Sequence, residues 1–279
     1  MSDGEVRTLA AEALAALDQL RAYDLTTLIS EKMVLNHQNH PRAPVIWQYQ
    51  RHSFSQWLFA GRWDPPRVPR LWGLPPEAGE FGKGHGVQSE QAIIGTHMGT
   101  HLDSPIHFDN RSEEDISRID LSRCWGDAIM LDLREACSSK RSFSRSDLDE
   151  AEKASGHKVQ PNQIVILHTG HSARYGYGPN ASSEKWNDEH TGMDYDAPEW
   201  FLERRPKLVG IDSPSADIDV VATGHVNFLL RGWIGEETIL IVENLVNLET
   251  VPTNRFIFAG FPLPIEGGSG SPIRAVAIC

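Results

Sequence analysis

Cysteine is scarce. The chain of 279 residues holds three, Cys124, Cys137 and Cys279. An odd, scattered set makes neither a disulfide framework nor a cysteine-ligated zinc site, so reduced thiols in a reducing compartment are expected. Basic charge is also short. Lys and Arg number 26 against 38 Asp and Glu, a formal net charge of −12. Such a surface repels phosphate, which argues against a nucleic-acid or anionic-membrane partner and suits cations. No apolar run reaches the roughly 18 residues of a membrane span. No GxSxG elbow is present, and GSGSP at 268–272 is not followed by the GK[ST] of a phosphate loop. With 40% hydrophobic and 23% charged residues, the composition is that of a globular chain, not a disordered one.

The N-terminal stretch carries Asp3, Glu5, Glu12 and Asp18 and has no basic region ahead of an apolar one, unlike a secretion signal. Leu9, Ala13, Leu17 and Leu20 share one helical face, so residues 5–22 are expected to form an amphipathic docking helix. A soluble, cytoplasmic protein is expected. Tyr23–Ile29 alternates like a strand. Residues 31–90 hold seven prolines and four of the eight tryptophans. Long helices are hard to place there, and a long irregular, aromatic-rich segment is expected. Beyond it, 91–95, 127–134, 163–170, 208–212, 238–245, 255–265 and 272–278 read as strands. Helices are expected over 146–154, capped by Ser146, and over 197–205, begun by Pro198. Strands interleaved with helices predict a single α/β domain with a mixed sheet over 1–279, in which 31–90 resembles an insertion.

The sharpest feature is GTHMGTHLDSPIHF at 95–108. Three of twelve histidines fall there within eleven residues, together with an aspartate. Imidazole nitrogen and carboxylate oxygen are the ligand set for divalent zinc, manganese or iron. His97, His101 and Asp103 are the candidate ligands. Gly99 allows a tight turn, Thr100 can orient a ligand through a hydrogen bond, and Pro105 stiffens the path to His107. HExxH is not formed, so the general base of the zincin proteases is missing.

The pattern HxGTHxDxPxH, filled by His97 to His107, resembles the signature of the cyclase family of metal-dependent hydrolases. Bacterial kynurenine formamidase, isatin hydrolase and trans-dienelactone hydrolase belong to it. KLVGIDSPSAD (207–217), HVNFLL (225–230), ILIVENL (239–245) and PLPIEGGSGSPIRAVA (262–277) resemble later blocks of the family, as does DLT at 24–26. The resemblance implies a swivelling β/β/α fold and a site of one or two divalent ions, Mn or Zn. It implies His97, His101 and Asp103 around a first metal. Asp103 would bridge to a second metal held by His225 and Glu243, and His107 would be the proton shuttle. The stretch between His225 and Glu243 is longer than in short formamidases, so Glu236 and Glu237 stay open as substitutes. The ordinary alternatives are a strand-end carboxylate for Glu243 and a hydrogen-bonded core histidine for His225.

A metal with an open position lowers the pKa of bound water to ~7 and polarises a carbonyl. His107, with an ordinary pKa of ~6.5, suits proton delivery to a leaving amine or alkoxide. Glu243 is a second ligand or a base. Trp47, Trp57, Trp63 and Trp72 are expected to wall a pocket for a small aromatic or cyclic substrate, with Arg51 available to a carboxylate. The same aromatic and Arg-rich segment suits a subunit interface, and a homodimer or homotetramer is expected. His168 and His171 either line the same cleft or are ordinary loop histidines. The leading expectation is hydrolysis of an arylformamide, cyclic amide or lactone. The alternatives are a metal-dependent cyclase or dehydratase and a non-catalytic metal-binding scaffold.

Overall fold

The computed structural model describes residues 19–35, 43–50, 88–139, 141–218 and 224–279. Thirteen strands are formed by these residues. They are β1 Ala22–Asp24, β2 Val45–Gln50, β3 Ser89–Ile93, β4 His101–Asp103, β5 Trp125–Asp132, β6 Ser142–Phe143, β7 Ile164–His168, β8 Gly192–Met193, β9 Leu208–Ile211, β10 Leu240–Glu243, β11 Arg255–Ala259, β12 Gly270–Pro272 and β13 Val276–Ile278. The α-helices are α1 Ala136–Ser139, α2 Arg145–Ser155, α3 Ser183–Asp188, α4 Ala197–Arg204 and α5 Gly224–Leu229. Two compact units result. The smaller contains the antiparallel hairpin of β2 and β3, irregular between Gln48 and Gln50. The larger contains everything that follows.

Its main sheet has nine strands in the order β1-β13-β11-β5-β7-β9-β10-β4-β12. The four central strands run parallel, and both flanks are antiparallel. Parallel strands buried on both faces read as unbroken apolar runs. Side chains alternate between two cores. Ile129, Leu131, Val165, Leu167, Val209, Ile211 and Ile241 pack under Leu148 of α2, Trp200 and Phe201 of α4 and Phe228 of α5. Ala128, Ile164, Ile166, Leu208, Leu240 and Val242 form the second core with Leu25, Leu102, Phe256, Phe258 and Ala277.

The sheet curls. Strands β13 and β12 stand second and last in the order, yet only residues 273–275 separate them. That link reaches at most about 14 Å. Seven strand spacings of ~4.8 Å across a flat sheet would need roughly 34 Å. The second core therefore lies inside a nearly closed sheet. Leu25 completes the seam, its N–H donating to Ala275 O at 2.9 Å and its carbonyl accepting from Val246 N at 3.1 Å.

The expected α/β class with a mixed sheet is found. Several boundaries differ. Residues 5–18 of the expected N-terminal helix, and with them most of its apolar face, lie outside the described residues. At its other end the helix is replaced by strand, because Ala22–Asp24 pairs with Val276–Ile278 and Arg21 exchanges both backbone hydrogen bonds with Cys279. The strand stops at Asp24 instead of Ile29, where Thr26 and Thr27 turn their hydroxyls to the carbonyls of Ala275 and Asn244. The cap of α2 is Ser144, not Ser146, through a reciprocal pair of bonds with Asp147. The histidine-rich segment, expected as loop, contains a strand, β4.

Arg204 joins α4 to α2, donating to Glu152 and Asp149 while lying 3.8 Å over the Trp200 ring. Burial raises the Glu152 carboxyl, but Arg204 and the Val159 amide outweigh it and leave the pKa lowered. A lowered folded-state pKa stabilises above the unfolded value and loses that contribution as pH falls through the folded one. Glu152→Gln should therefore flatten the acid limb of the stability curve measured by urea unfolding below about pH 4.5. Phe201→Ala, which empties the centre of the helix-side core, should cost about 3–5 kcal/mol in the same assay at pH 7.

Candidate metal centre

The centre grows from β4. His101 and Asp103 are alternate residues of this strand, so their side chains share a face while Leu102 enters the second core. Strand β10 lies alongside with Glu243 directly opposite His101. On the other side β12 pairs Gly270 with Asp103. His97 reaches in from the preceding turn. A Cβ on Gly270 would stand 2.5 Å from its ring, so only glycine leaves room there. Pro105 opens a 3-10 turn over Pro105–His107 that brings His107 back to stack on His97, with ring centroids 4.1 Å apart. His225 comes from the start of α5.

Asp103 is fully buried at the middle of these groups. Its Oδ1 is 2.7 Å from His97 Nδ1 and 3.3 Å from His101 Nε2. Its Oδ2 is 3.3 Å from His225 Nε2 and accepts no hydrogen bond. Glu243 places Oε2 3.6 Å from His101 Nε2 and Oε1 3.4 Å from His225 Nε2. Its Oε1 also accepts from Ala216 N at 2.7 Å. Among the described residues, two sets offer ligand atoms close enough for one cation: His97, Asp103 and His107, and His101, Asp103 and Glu243.

The donor chemistry fits a divalent cation. His101 Nδ1 is 2.8 Å from Gly99 O, and His225 Nδ1 is 2.8 Å from Asp217 Oδ2. A neutral imidazole so engaged carries its proton on Nδ1 and turns the Nε2 lone pair inward. Both Nε2 atoms face Asp103 and Glu243, and the unshared Asp103 Oδ2 lies among them. His97 is arranged differently: Nδ1 meets Asp103 and Nε2 lies 2.8 Å from Ser269 Oγ.

The electrostatics agree. Burial acts against charge on Asp103, but the His101 and His97 imidazoles beside it hold its pKa well below the ordinary value. His225 is raised well above its ordinary value, the carboxylates of Asp103, Asp217 and Glu243 outweighing burial. His101 is raised for the same reason by Asp103 and Glu243. Glu243 is pushed up to about 7 by burial, with the Asp103 charge adding to it. His107 is lowered to about 4 by burial, with the neighbouring imidazoles adding to this and Asp103 opposing it. A divalent cation entering such a cluster displaces its protons, so uptake weakens as pH falls.

The six histidine and carboxylate residues singled out in the sequence thus come together. Glu243, not Glu236 or Glu237, stands against the imidazoles: Glu236 is ion-paired with Arg231, and Glu237 is exposed. Thr100 hydrogen-bonds Thr27 and Asn244. It accepts from Thr27 N and donates to Asn244 O at 2.6 Å, tying β4 to the sheet seam. His171 lies outside the cluster, buried against Trp186, with Nε2 3.0 Å from the Trp186 carbonyl. His168 ends β7, away from the carboxylate cluster. Trp47 is exposed on β2. Trp57, Trp63, Trp72 and Arg51 lie outside the described residues. A cavity of about 20 Å³ reaches His97 and Asn244, walled by Met33, Leu35, Met98, Trp186 and Val246. Sequence reasoning passed over Asp217, Ser269 and Gly270. The only signal was their place within blocks already noted for other residues.

The fold and centre define a mixed α/β protein with a buried histidine–carboxylate cluster suited to a divalent cation. The chain belongs to the family described as "Putative cyclase", whose model matches residues 23–218. It is 26% identical over 193 residues to the isatin hydrolase of Roseibium aggregatum, covering 67% of this chain and 73% of that one. To the kynurenine formamidase of Sphingopyxis alaskensis it is 27% identical over 196 residues, covering 70% and 83%. Among solved structures, isatin hydrolase A from Ralstonia solanacearum matches with a TM-score of 0.70 at 19% identity, over 97% of this chain and 96% of that one. An isatin hydrolase bound to the product analogue thioisatinate matches at 0.69 and 18%, over 100% and 99%.

Gly270→Ala should push His97 off Asp103 and weaken binding of Mn²⁺ or Zn²⁺ by at least about 10-fold in calorimetric titration, with the circular dichroism spectrum unchanged.

Proposed function

We propose that this protein is a metal-dependent hydrolase that opens a C–N bond of an arylformamide or cyclic amide, or the C–O bond of a lactone. The observation that carries this reading is the inward turn of His101 Nε2 onto Oδ1 and of His225 Nε2 onto Oδ2 of the buried Asp103, and of both onto Glu243. His97, His101, Asp103, His225 and Glu243 would hold one or two ions, Mn or Zn. A divalent ion there supplies a Lewis acid that activates water at neutral pH and polarises a carbonyl oxygen.

The chain's own residues do the rest. Asp103, held at Oδ1 by His97 and His101, keeps the ligand set in register and leaves Oδ2 turned to His225. His107 ends the 3-10 turn, lies against His97 and stands with its ring 5.8 Å from that of His225. With its pKa lowered to about 4 instead of the ordinary value, His107 is neutral at pH 7, so its imidazole would first take a proton from the attacking water and then pass it to the leaving nitrogen or oxygen. Phe108 packs with its ring centroid 4.7 Å from that of His225. The substrate class we infer is a small aromatic or cyclic carbonyl compound. The relatives named isatin hydrolase and kynurenine formamidase support the same substrate class.

We read the smaller unit as an insertion within one catalytic domain and the protein as a homodimer or homotetramer. Cys124 and Cys137, buried and joined in no disulfide, fit a cytoplasmic setting.

Chelation followed by restoration of Mn²⁺ or Zn²⁺ should abolish and then return turnover of N-formylkynurenine, isatin or a dienelactone. No turnover of any of the three by the metal-loaded protein would overturn the reading. His107→Ala should keep metal and lose activity by about 10²-fold or more, whereas His101→Ala should lose both. If His107→Ala also releases metal, His107 is a ligand, as its closeness to His97 and Asp103 allows.

A further inference from the structure

Asp217 is buried, and its two oxygens serve both the start of α5 and the imidazole of His225. Oδ2 lies 2.8 Å from His225 Nδ1 and also accepts from His225 N at 3.4 Å. Oδ1 accepts from Gly224 N, the first residue of α5. The backbone of Asp217 is itself fixed. It bridges Met193 of β8, and its carbonyl lies 3.1 Å from His190 Nε2. A Cβ on Gly192 would stand 2.3 Å from the Asp217 carbonyl carbon, and one on Gly224 would stand 2.9 Å from Oδ1. Two glycines therefore let this carboxylate reach both the helix start and the imidazole.

We propose that Asp217 is a positioning residue that sets the orientation and tautomer of His225 at the metal centre. The inference rests on the reading that the cluster holds a divalent cation. An ionised carboxylate offers only acceptors. Facing Nδ1, it keeps the proton of a neutral His225 on that atom and leaves the Nε2 lone pair turned to Asp103 and Glu243. The alternative role is structural: Asp217 caps α5 and nothing more.

Asp217→Asn separates the two. An amide has one acceptor oxygen. If that oxygen keeps the Gly224 N–H, the NH₂ group faces Nδ1 and forces the imidazole proton onto Nε2, where it blocks the cation. If the amide turns over, the cap on α5 is lost instead. A positioning role predicts that Asp217→Asn weakens Mn²⁺ binding by about 10–100-fold, at least as much as Asp217→Ala. It also predicts that the cation-free Asn protein melts closer to wild type than the Ala protein does. A capping role predicts the opposite order, with Asn near wild type in Mn²⁺ affinity and Ala impaired.

The experiment is Mn²⁺ titration of the full chain by calorimetry, with melting curves of the cation-free proteins. Wild-type affinity in Asp217→Asn overturns the proposal. Asp217→Ser, which keeps an oxygen able to cap Gly224, stands in should the Asn variant not fold: it is expected to bind Mn²⁺ about 10-fold more weakly, and wild-type affinity there overturns the proposal equally. His101→Ala is measured alongside. Undiminished Mn²⁺ binding by His101→Ala would sink the metal-centre reading itself, an outcome distinct from a wild-type Asp217→Asn beside a failing His101→Ala.

Discussion

The burial of one carboxylate constrains everything around it. Asp103 lies in a strand with a neighbour on each side, and a carboxylate in that position is tolerated only with polar partners or a cation beside it. His97, His101 and His225 supply them, from the preceding turn, from the same strand and from a helix more than a hundred residues away. A carboxylate with one oxygen left unshared among inward-facing imidazoles is costly as pure architecture. It becomes economical when a cation completes the set.

Closure of the sheet brings these partners into reach. The link of residues 273–275 joins the β4 side to the β1 side, so the curled sheet puts β12 against β4 and Gly270 against His97. Strand β4 is short, but its two pairings fix its register. A slip of one residue would send Leu102 toward the imidazoles and Asp103 into the apolar core. The hydrophobic packing of Leu102 thereby specifies the chemistry of its neighbours.

Some of this was open to reading along the chain. The parallel strands were legible as apolar runs because both faces are buried, and α4 was legible from Pro198 at its start. The histidine-rich segment was legible as chemistry because its ligand types are crowded within eleven residues. Its conformation was not. Glycines and histidines gave it the look of a loop, while pairing on both sides makes part of it a strand. Ser146 was an equally good cap by residue type, and Ser144 took the role because Asp147 answers it at the right spacing. Glu236 and Glu237 matched Glu243 in charge and differed only in where the chain carries them.

Local sequence decided the ligand chemistry around position 100, the acidic surface and the interleaving of strands with helices, since each depends on residue type and short spacing. Tertiary structure decided which distant groups complete the centre. Glu243 faces His101 because two strands pair, His225 turns its Nε2 inward because Asp217 holds the other nitrogen, and His97 fits because Gly270 has no side chain. Those are facts of approach in space, which no spacing along the chain encodes.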